Sequence, residues 1–196
     1  MYKILSKEEL NSTVTKMVIE APFVAKKAEP GQFIILRVDK DGERVPLTIA
    51  DFNREKETVT IIFQVVGAET TRLNKKNAGD YIEDFVGPLG NPTKTEGYKK
   101  VAVVGGGVGT AIAYPVAKKF AACGATVHSI VGFRNKDLVI LQKEFESVSD
   151  KYVLVSDDGS TGTKGFVTDA LKSLIDSGEN YDLVMAIAVS YTHLTL

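Results

Sequence analysis

The sequence predicts a small antiparallel β-barrel followed by a parallel α/β sheet, and three observations lead to that prediction. Up to about Gly97 the apolar residues recur with the period of β-strands, whereas strands alternate with helices after it. Where the pattern changes, residues 101–115 (VAVVGGGVGTAIAYP) join a buried strand to a helix through three consecutive glycines. Such a turn forms an anion site, because free N–H groups and the helix dipole face a bound phosphate.

Six short segments before Gly97 have the composition of strands, and their near-even spacing predicts a closed six-stranded antiparallel barrel. They are 2–9, 13–21, 32–39, 45–51, 58–66 and 80–86. Residues 69–77 have helical character and end near Gly79, a typical helix stop, so we expect one capping helix.

The second half alternates strand and helix, which predicts a parallel sheet with helices on both faces. Its expected strands are 100–104, 125–132, 151–156 and 182–187, and its expected helices are 110–122, 136–147 and 165–176. The boundary is expected near residues 91–98. We therefore assign a barrel domain to 1–97 and an α/β domain to 98–188. Residues 189–196 have no helical period, and we expect them to be a foreign tail on a truncated, incomplete domain.

Composition excludes several classes of protein. The chain has 196 residues, of which 44% are hydrophobic, and its net charge of −1 gives no electrostatic case for a nucleic-acid or anionic-membrane partner. It shows neither a bilayer-length apolar run nor a signal peptide, so a cytoplasmic protein is expected. Its single cysteine, Cys123, excludes an internal disulfide and a cysteine metal cluster.

Three stretches of the barrel could carry chemistry. Arg44 and Thr48 lie four residues apart in an apolar strand and therefore share a face, where a guanidinium could hold a pyrophosphate and a hydroxyl could bond a ring nitrogen. The alternative is a strand-edge arginine beside a solvent-facing threonine. Residues 67–71 could face a phosphate or simply cap a helix. Residues 87–92 (GPLGNP) have the composition of a rigid domain linker.

In the second domain the glycine turn departs from the strict dinucleotide fingerprint, since Thr110 stands at the sixth position. A tight turn that needs glycine is the alternative. Arg134 follows the second strand and either accommodates a 2′-phosphate or lies in solvent. Asp157 and Asp158 follow the third strand, where a nucleotide-edge loop or a turn is favoured over a metal site, so no metal is expected. We find no nucleophile–base–acid arrangement, which agrees with hydride transfer between a nicotinamide and a flavin.

The order RxPxT, GPLG and GGGxGxxxxYP resembles the ferredoxin–NADP reductase superfamily. The resemblance is strongest to its electron-transfer subunits, those of dihydroorotate dehydrogenase B, sulfide dehydrogenase and the NADH-dependent reduced ferredoxin:NADP oxidoreductase. It covers residues 1–188 through segments such as GQFIILRV, GFRNKDLVIL and DDGSTGTKGFVTDAL.

The resemblance implies FAD and NAD(P)H as cofactors, with 1–97 as the FAD-binding β-barrel domain and 98–188 as the NAD(P)-binding α/β domain. The two cofactors would meet in a cleft between the domains. Arg44 would hold the FAD pyrophosphate. The isoalloxazine ring would be lined by Pro46, Leu47 and Thr48, with Pro46 and Thr48 at the reacting edge. The FAD phosphates would contact Gly67, Thr70 and Thr71. The NAD(P)H pyrophosphate and nicotinamide would be admitted by Gly106, Gly107, Gly109 and Thr110. The adenosine or ribose side would be bordered by Arg134, Asp157 and Asp158.

The function implied is that of a flavoprotein oxidoreductase subunit. Electrons from NAD(P)H would pass to FAD and then, through a [2Fe–2S] centre present only in the full-length protein, to a larger partner subunit; ferredoxin is a further candidate partner. Two departures are visible: Ile187-Ala188-Val189 replaces a Gly-Pro motif, and the C-terminal cysteine cluster is missing. The alternative function is a non-catalytic nucleotide-binding module that senses redox state or docks a partner.

Overall fold

The computed structural model describes residues 1–188, so the expected foreign tail at 189–196 lies outside the described residues. The chain divides into two compact units, the first Met1–Thr93 and the second beginning at Lys94. Within residues 1–188, no helix combines the length and the apolar character needed to cross a membrane.

The first unit is an antiparallel barrel of seven strands with two short helices, which confirms the predicted fold class. Its elements are β1 (Tyr2–Glu9), β2 (Val14–Glu20), α1 (Pro22–Lys27), β3 (Phe33–Arg37), β4 (Arg44–Asn53), β5 (Thr58–Gln64), α2 (Ala68–Asn74), β6 (Tyr81–Ile82) and β7 (Asp84–Leu89). The strands are bonded in the order β6-β1-β2-β5-β4-β3-β7.

Glu83 explains why there are seven strands rather than the six expected. It interrupts the last predicted strand, so that β6 pairs with β1 while β7 pairs with β3. Its N–H donates to the carbonyl oxygens of Arg37 and Val38, at 3.1 and 3.3 Å. One continuous segment thus bonds to both ends of the sheet, and this brings its two edges together.

Both helices of the barrel differ from expectation. Helix α1 was not predicted, because its six residues are too few to show a helical period, yet it buries Val24 and Ala25 in the barrel core. Helix α2 ends at Asn74 rather than near residue 77, and the chain leaves it through a tighter turn in which the Lys76 N–H donates to the Leu73 carbonyl. Gly79 instead lies in a turn with φ of 96°.

The second unit is built on the expected parallel sheet. Its elements are β8 (Lys100–Gly106), α3 (Gly109–Ala122), β9 (Thr126–Phe133), a 3-10 turn (Lys136–Leu138), α4 (Gln142–Val148), β10 (Lys151–Ser156), β11 (Thr163–Lys164), α5 (Val167–Asp176) and β12 (Leu183–Ala188). The strand order is β11-β10-β9-β8-β12. The helix expected over 136–147 is broken, because Leu141 adopts a left-handed φ of 57° just before α4 begins.

Helices α3 and α5 cover opposite faces of this sheet. Val104 packs with Leu174 of α5, whereas a Cβ on the next residue, Gly105, would point at Thr110 of α3. Consecutive strand residues face opposite sides, so the two helices are separated by the sheet. Gly132 of β9 lies close against α5, since a Cβ there would lie 2.6 Å from Cγ1 of Val167.

Gly132→Ala is expected to destabilise the protein by about 1–3 kcal/mol, because the added methyl overpacks the contact with α5. Val167→Ala removes the opposing methyl, so the double variant should be less destabilised than the sum of the two single variants. Urea unfolding of all four proteins measures the coupling. Strict additivity would contradict this account of the contact.

Candidate functional site

Strand β4 presents Arg44, Pro46 and Thr48 on the outer face of the barrel. Arg44 and Pro46 are exposed and Thr48 is half-buried, whereas Leu47 packs against the barrel core and Ile49 is fully buried. This alternation follows from the pleat of a strand, where every second side chain points the same way. The prediction that Arg44 and Thr48 share a face therefore agrees with the strand geometry.

Leu47 packs differently from its two neighbours. Its side chain belongs to the core side of the strand, so it points away from the surface that carries Pro46 and Thr48. The sequence-based assignment treated three consecutive residues as one lining, which a pleated strand does not allow.

Apolar side chains of three neighbouring strands continue this outer face. In the register of the sheet Pro46 is opposite Ile35, which is opposite Val86, while Thr48 is opposite Phe33, which is opposite Leu89. Val86 is 52% exposed. We call this surface the outer apolar strip; it consists of Phe33, Ile35, Pro46, Val86 and Leu89.

All members of the strip except Pro46 were not predicted as site residues, although the sequence contains a signal for a covered outer face. Residues 33–36 (FIIL) are continuously apolar, whereas a strand with one face in water normally alternates. An uninterrupted apolar run in a barrel strand indicates that the outer face is also covered. A flat aromatic ring system is the kind of group that such a strip can accept.

Arg44 lies at one end of the strip. Its side chain is 66% exposed, and its Nη2 lies 3.7 Å from Oδ2 of Asp84. The same carboxylate oxygen accepts a 2.8 Å hydrogen bond from Nε of Arg37. The guanidinium of Arg44 thus faces solvent without a hydrogen bond to this carboxylate, and it can bind an anion such as a diphosphate.

The start of α2 lies at the same end of the barrel as Arg44. Gly42, in the β3–β4 hairpin, approaches the Glu69 carboxylate of α2, and Asp39 of the hairpin bonds Arg72 of that helix at 2.9 Å. The hairpin ends where Arg44 begins strand β4, which brings the helix start and the arginine to one region.

Three candidate residues at this helix start have different environments. The Thr70 hydroxyl accepts hydrogen bonds from the N–H groups of Val66 and Gly67, at 3.0 Å each, and donates to the Gly67 carbonyl. It therefore performs the capping role that was the alternative at the sequence level. Gly67 borders open space, and Thr71 is exposed, so both can be reached by a ligand.

The segment 87–92 is not a linker, contrary to the sequence-based expectation. Gly87 and Leu89 belong to β7, and a Cβ on Gly87 would lie 2.6 Å from Cγ2 of Ile34. Gln32 fixes the following turn, since its Nε2 donates to the Gly90 carbonyl at 2.9 Å. The turn is thereby part of the barrel wall beside the outer apolar strip.

In the second unit the glycines of the turn after β8 serve different purposes. A Cβ on Gly109 would lie 2.7 Å from the carbonyl oxygen of Ile187, so this glycine allows α3 to approach β12. Gly106 lies against Ala188 in the same way, at 3.2 Å. Gly107 has a φ of 55°, is exposed and borders open space, which makes it the position where a ligand can come close to the main chain.

Thr110 lies directly under this turn. It is fully buried, and its Oγ1 has no hydrogen-bond partner within the described part of the chain. An unsatisfied buried hydroxyl is costly, so its place beside a glycine turn marks a position where a bound polar group can complete the bonding. This observation fits the turn to a nucleotide.

The remaining candidates meet at the carboxyl edge of the same sheet. The Gly107 N–H donates to the Gly132 carbonyl, and the Asp158 N–H donates to the Arg134 carbonyl at 3.2 Å. Asp157 bonds Phe133 in the same way, at 3.1 Å. Among residues 1–188 there is no group of three or more His, Cys, Asp or Glu side chains placed to hold a metal.

Asp158 has a lowered pKa. Hydrogen bonds from the hydroxyl and the N–H of Ser160 stabilise its carboxylate, the N–H at 2.8 Å from Oδ1. These bonds shape the loop after β10 and keep a negative charge at the edge where Arg134 provides a positive one.

His128 takes no part in this edge. It lies near the amino end of β9, where its Nδ1 shares a 2.9 Å hydrogen bond with the Tyr181 hydroxyl. Burial lowers its pKa, with the nearby lysines Lys100 and Lys151 acting in the same direction. His193, the other histidine, lies outside the described residues.

An antiparallel barrel followed by a parallel sheet with a glycine turn defines the class of ferredoxin reductase-like oxidoreductases. The chain belongs to the family of dihydroorotate dehydrogenase B electron transfer subunits. A Bacillus mycoides member is 30% identical over 187 residues, covering 92% of this chain and 70% of that protein. A Thermotoga maritima homolog of that subunit is 43% identical, covering 94% of this chain and 65% of that protein.

A solved structure extends this relation. The NADH-dependent reduced ferredoxin-NADP oxidoreductase superposes with a TM-score of 0.89 at 41% identity, covering 96% of this chain and 67% of that one. The chain spans just under two thirds of the length of the Thermotoga relative. No family model matches the chain.

Ser160→Ala is expected to raise the pKa of Asp158, because the hydroxyl is the larger source of the lowered value. A carboxyl pKa that is lower in the folded state contributes stability above its unfolded value, and this contribution is lost as the pH falls through the folded value. In Ser160→Ala the contribution of Asp158 to stability should be lost at a higher pH than in the wild type. NMR titration of carboxyl carbons measures it.

Asp182 provides the internal control for this titration. Its pKa is lowered by the N–H groups of Lys100 and Lys99, independently of Ser160, and should not move. An unchanged Asp158 titration in Ser160→Ala would show that the Ser160 hydroxyl does not hold this carboxylate.

Proposed function

We propose that this chain is the flavin- and nicotinamide-binding part of an electron-transfer subunit, and that it acts as an FAD-dependent NAD(P)H oxidoreductase. The observation that carries the proposal is the position of Arg44 at one end of the outer apolar strip. A cation beside an apolar surface matches the two halves of FAD, a diphosphate and an aromatic ring system. Membership of the electron transfer subunit family supports the same conclusion.

On the barrel, Arg44 would bind the FAD diphosphate, and the strip would take the face of the isoalloxazine ring. Pro46 contributes rigid apolar surface, and the Thr48 hydroxyl would bond the hydride-accepting edge of the ring. Leu47 would contribute through its main chain. When bound, FAD accepts a hydride from a reduced nicotinamide and releases electrons one at a time, a step that needs alignment of two rings rather than a protein acid or base.

The phosphate end of FAD would extend toward the start of α2. Gly67 would let a ligand approach the backbone, because no protein atom lies within 4 Å of the position that a Cβ there would take. Thr71 would offer an exposed hydroxyl, and Thr70 would act by fixing the turn through its cap.

On the second unit, NAD(P)H would lie over the glycine turn. Gly107 would admit the pyrophosphate, Gly106 and Gly109 would hold the turn against β12, and Thr110 would bond the ligand through its unpartnered hydroxyl. The adenosine side would be bordered by Arg134, Asp157 and Asp158.

The onward path of electrons is proposed for the full-length protein. Relatives named as electron transfer subunits imply a larger catalytic subunit as the acceptor. The sequence contains one cysteine, whereas a [2Fe–2S] cluster is held by four protein ligands, so these residues do not provide that cluster's site. The role proposed for this chain therefore ends at the flavin.

The purified chain is expected to be yellow or to take up FAD, and its flavin absorbance should bleach when NADH or NADPH is added under anaerobic conditions. Anaerobic spectrophotometry measures both properties. A colourless chain that binds a nucleotide but takes up no FAD would contradict the proposal and favour a non-catalytic nucleotide-binding module. Separate anaerobic titrations with NADH and with NADPH also measure the cofactor preference.

Arg44→Ala is expected to weaken FAD binding by roughly 10- to 100-fold, the range set by one charge-assisted contact to a phosphate. Fluorescence quenching of FAD on titration with apoprotein measures the dissociation constant. Arg54→Ala is the matched control, because Arg54 also forms an exposed ion pair, with Glu29 at 2.7 Å, but follows the opposite end of β4. Equal affinities for wild type and Arg44→Ala would refute the assigned role.

A further inference from the structure

Three charged residues lie side by side on three neighbouring strands at the start of the outer apolar strip. Arg37 of β3 is opposite Arg44 of β4 on one side and opposite Asp84 of β7 on the other. Arg37 and Asp84 are largely covered, with side-chain exposures of 26% and 30%, whereas Arg44 extends into solvent.

The carboxylate of Asp84 is shared unequally between the two arginines. Its Oδ2 accepts a 2.8 Å hydrogen bond from Nε of Arg37, while Nη2 of Arg44 is 3.7 Å away, too far for a hydrogen bond. Arg37 also reaches the Lys40 carbonyl through Nη1, at 3.4 Å, which fixes the guanidinium between strand and hairpin. The short bond and the covered position give the Arg37–Asp84 pair the stronger interaction.

This unequal sharing decides the charge that Arg44 offers to a ligand. A carboxylate and a phosphate compete for the same guanidinium donors, so a free Asp84 next to Arg44 would neutralise it. With Arg37 present, the three side chains carry two positive charges and one negative, and the net positive charge resides on the exposed Arg44. Without Arg37, the remaining pair is neutral.

We propose that Arg37 is a positioning residue for FAD: by engaging Asp84 it keeps the Arg44 guanidinium available for the diphosphate. The proposal rests on the proposed function and adds to it the residue that governs diphosphate affinity. Because the effect acts on a phosphate contact, it applies to FAD and not to riboflavin, which has the same ring system but no phosphate.

Arg37→Leu is expected to weaken FAD binding by roughly three- to tenfold, since an anion site loses one net charge near the surface. Riboflavin binding should not change. Adding Asp84→Asn to Arg37→Leu should restore FAD affinity to within about twofold of wild type, because Arg44 is then no longer neutralised. Fluorescence titration of the wild type, Arg37→Leu and the double variant, each with FAD and with riboflavin, measures the six dissociation constants.

Three controls separate this role from a general loss of structure. Arg54→Leu removes an arginine–carboxylate pair of similar length at the other end of β4 and should leave FAD binding unchanged. Arg37→Lys keeps a positive charge beside Asp84 and should therefore retain most of the FAD affinity. Where Arg37→Leu is too unstable to measure, the single variant Asp84→Asn is compared with the double variant Arg37→Leu/Asp84→Asn. These two proteins should bind FAD equally, because neither carries the Asp84 carboxylate.

The outcomes are distinct. Wild-type affinity in Arg37→Leu overturns the proposal, and so does a double variant that remains as weak as Arg37→Leu, because Arg37 would then act only through structure. Equal losses for FAD and riboflavin also overturn it. A wild-type chain that binds neither flavin contradicts the proposed function itself, and this role with it.

Discussion

The barrel depends on the pairing of one continuous segment with both edges of its sheet. Residues 81–89 bond β1 through β6 and β3 through β7, and the Glu83 N–H between them donates to the end of β3. A sheet without free edges avoids unpaired backbone groups, which favours this closure. The same pairing sets Asp84, Val86 and Leu89 beside β3, so the closure of the barrel also assembles the outer apolar strip.

The second unit gathers its candidates by a different constraint. In a parallel sheet all strands run in one direction, so the loops that follow them collect at a single edge. Hydrogen bonds then tie this edge together: the Gly107 N–H donates to the Gly132 carbonyl of β9, and the Asp158 N–H donates to the Arg134 carbonyl. Residues more than fifty positions apart in the sequence thereby share one short stretch of surface.

Much of this organisation could be predicted from the sequence, because its causes are local. Strand alternation and the strand–helix succession gave the fold class, and the glycine turn gave the position of Gly107. Helix α1 was not predicted because six residues show no helical period. The break at Leu141 was not predicted because a left-handed leucine leaves no signal in the composition. The outer apolar strip and the Arg37–Asp84–Arg44 arrangement depend on strand register, which a single sequence without pairing information does not reveal.

Several candidate positions depart from what stability alone favours. Val86 leaves an apolar side chain half in water, Gly107 has a left-handed backbone, and Thr110 buries a hydroxyl without a partner in the described chain. The exposed Val86 side chain and the unbonded Thr110 hydroxyl each cost free energy in the isolated fold, whereas glycine adopts the backbone conformation of Gly107 without strain. Other exposed apolar and unbonded polar groups occur elsewhere, such as Phe23 and the Tyr152 hydroxyl, so these features support the proposed sites only together with Arg44 and the glycine turn.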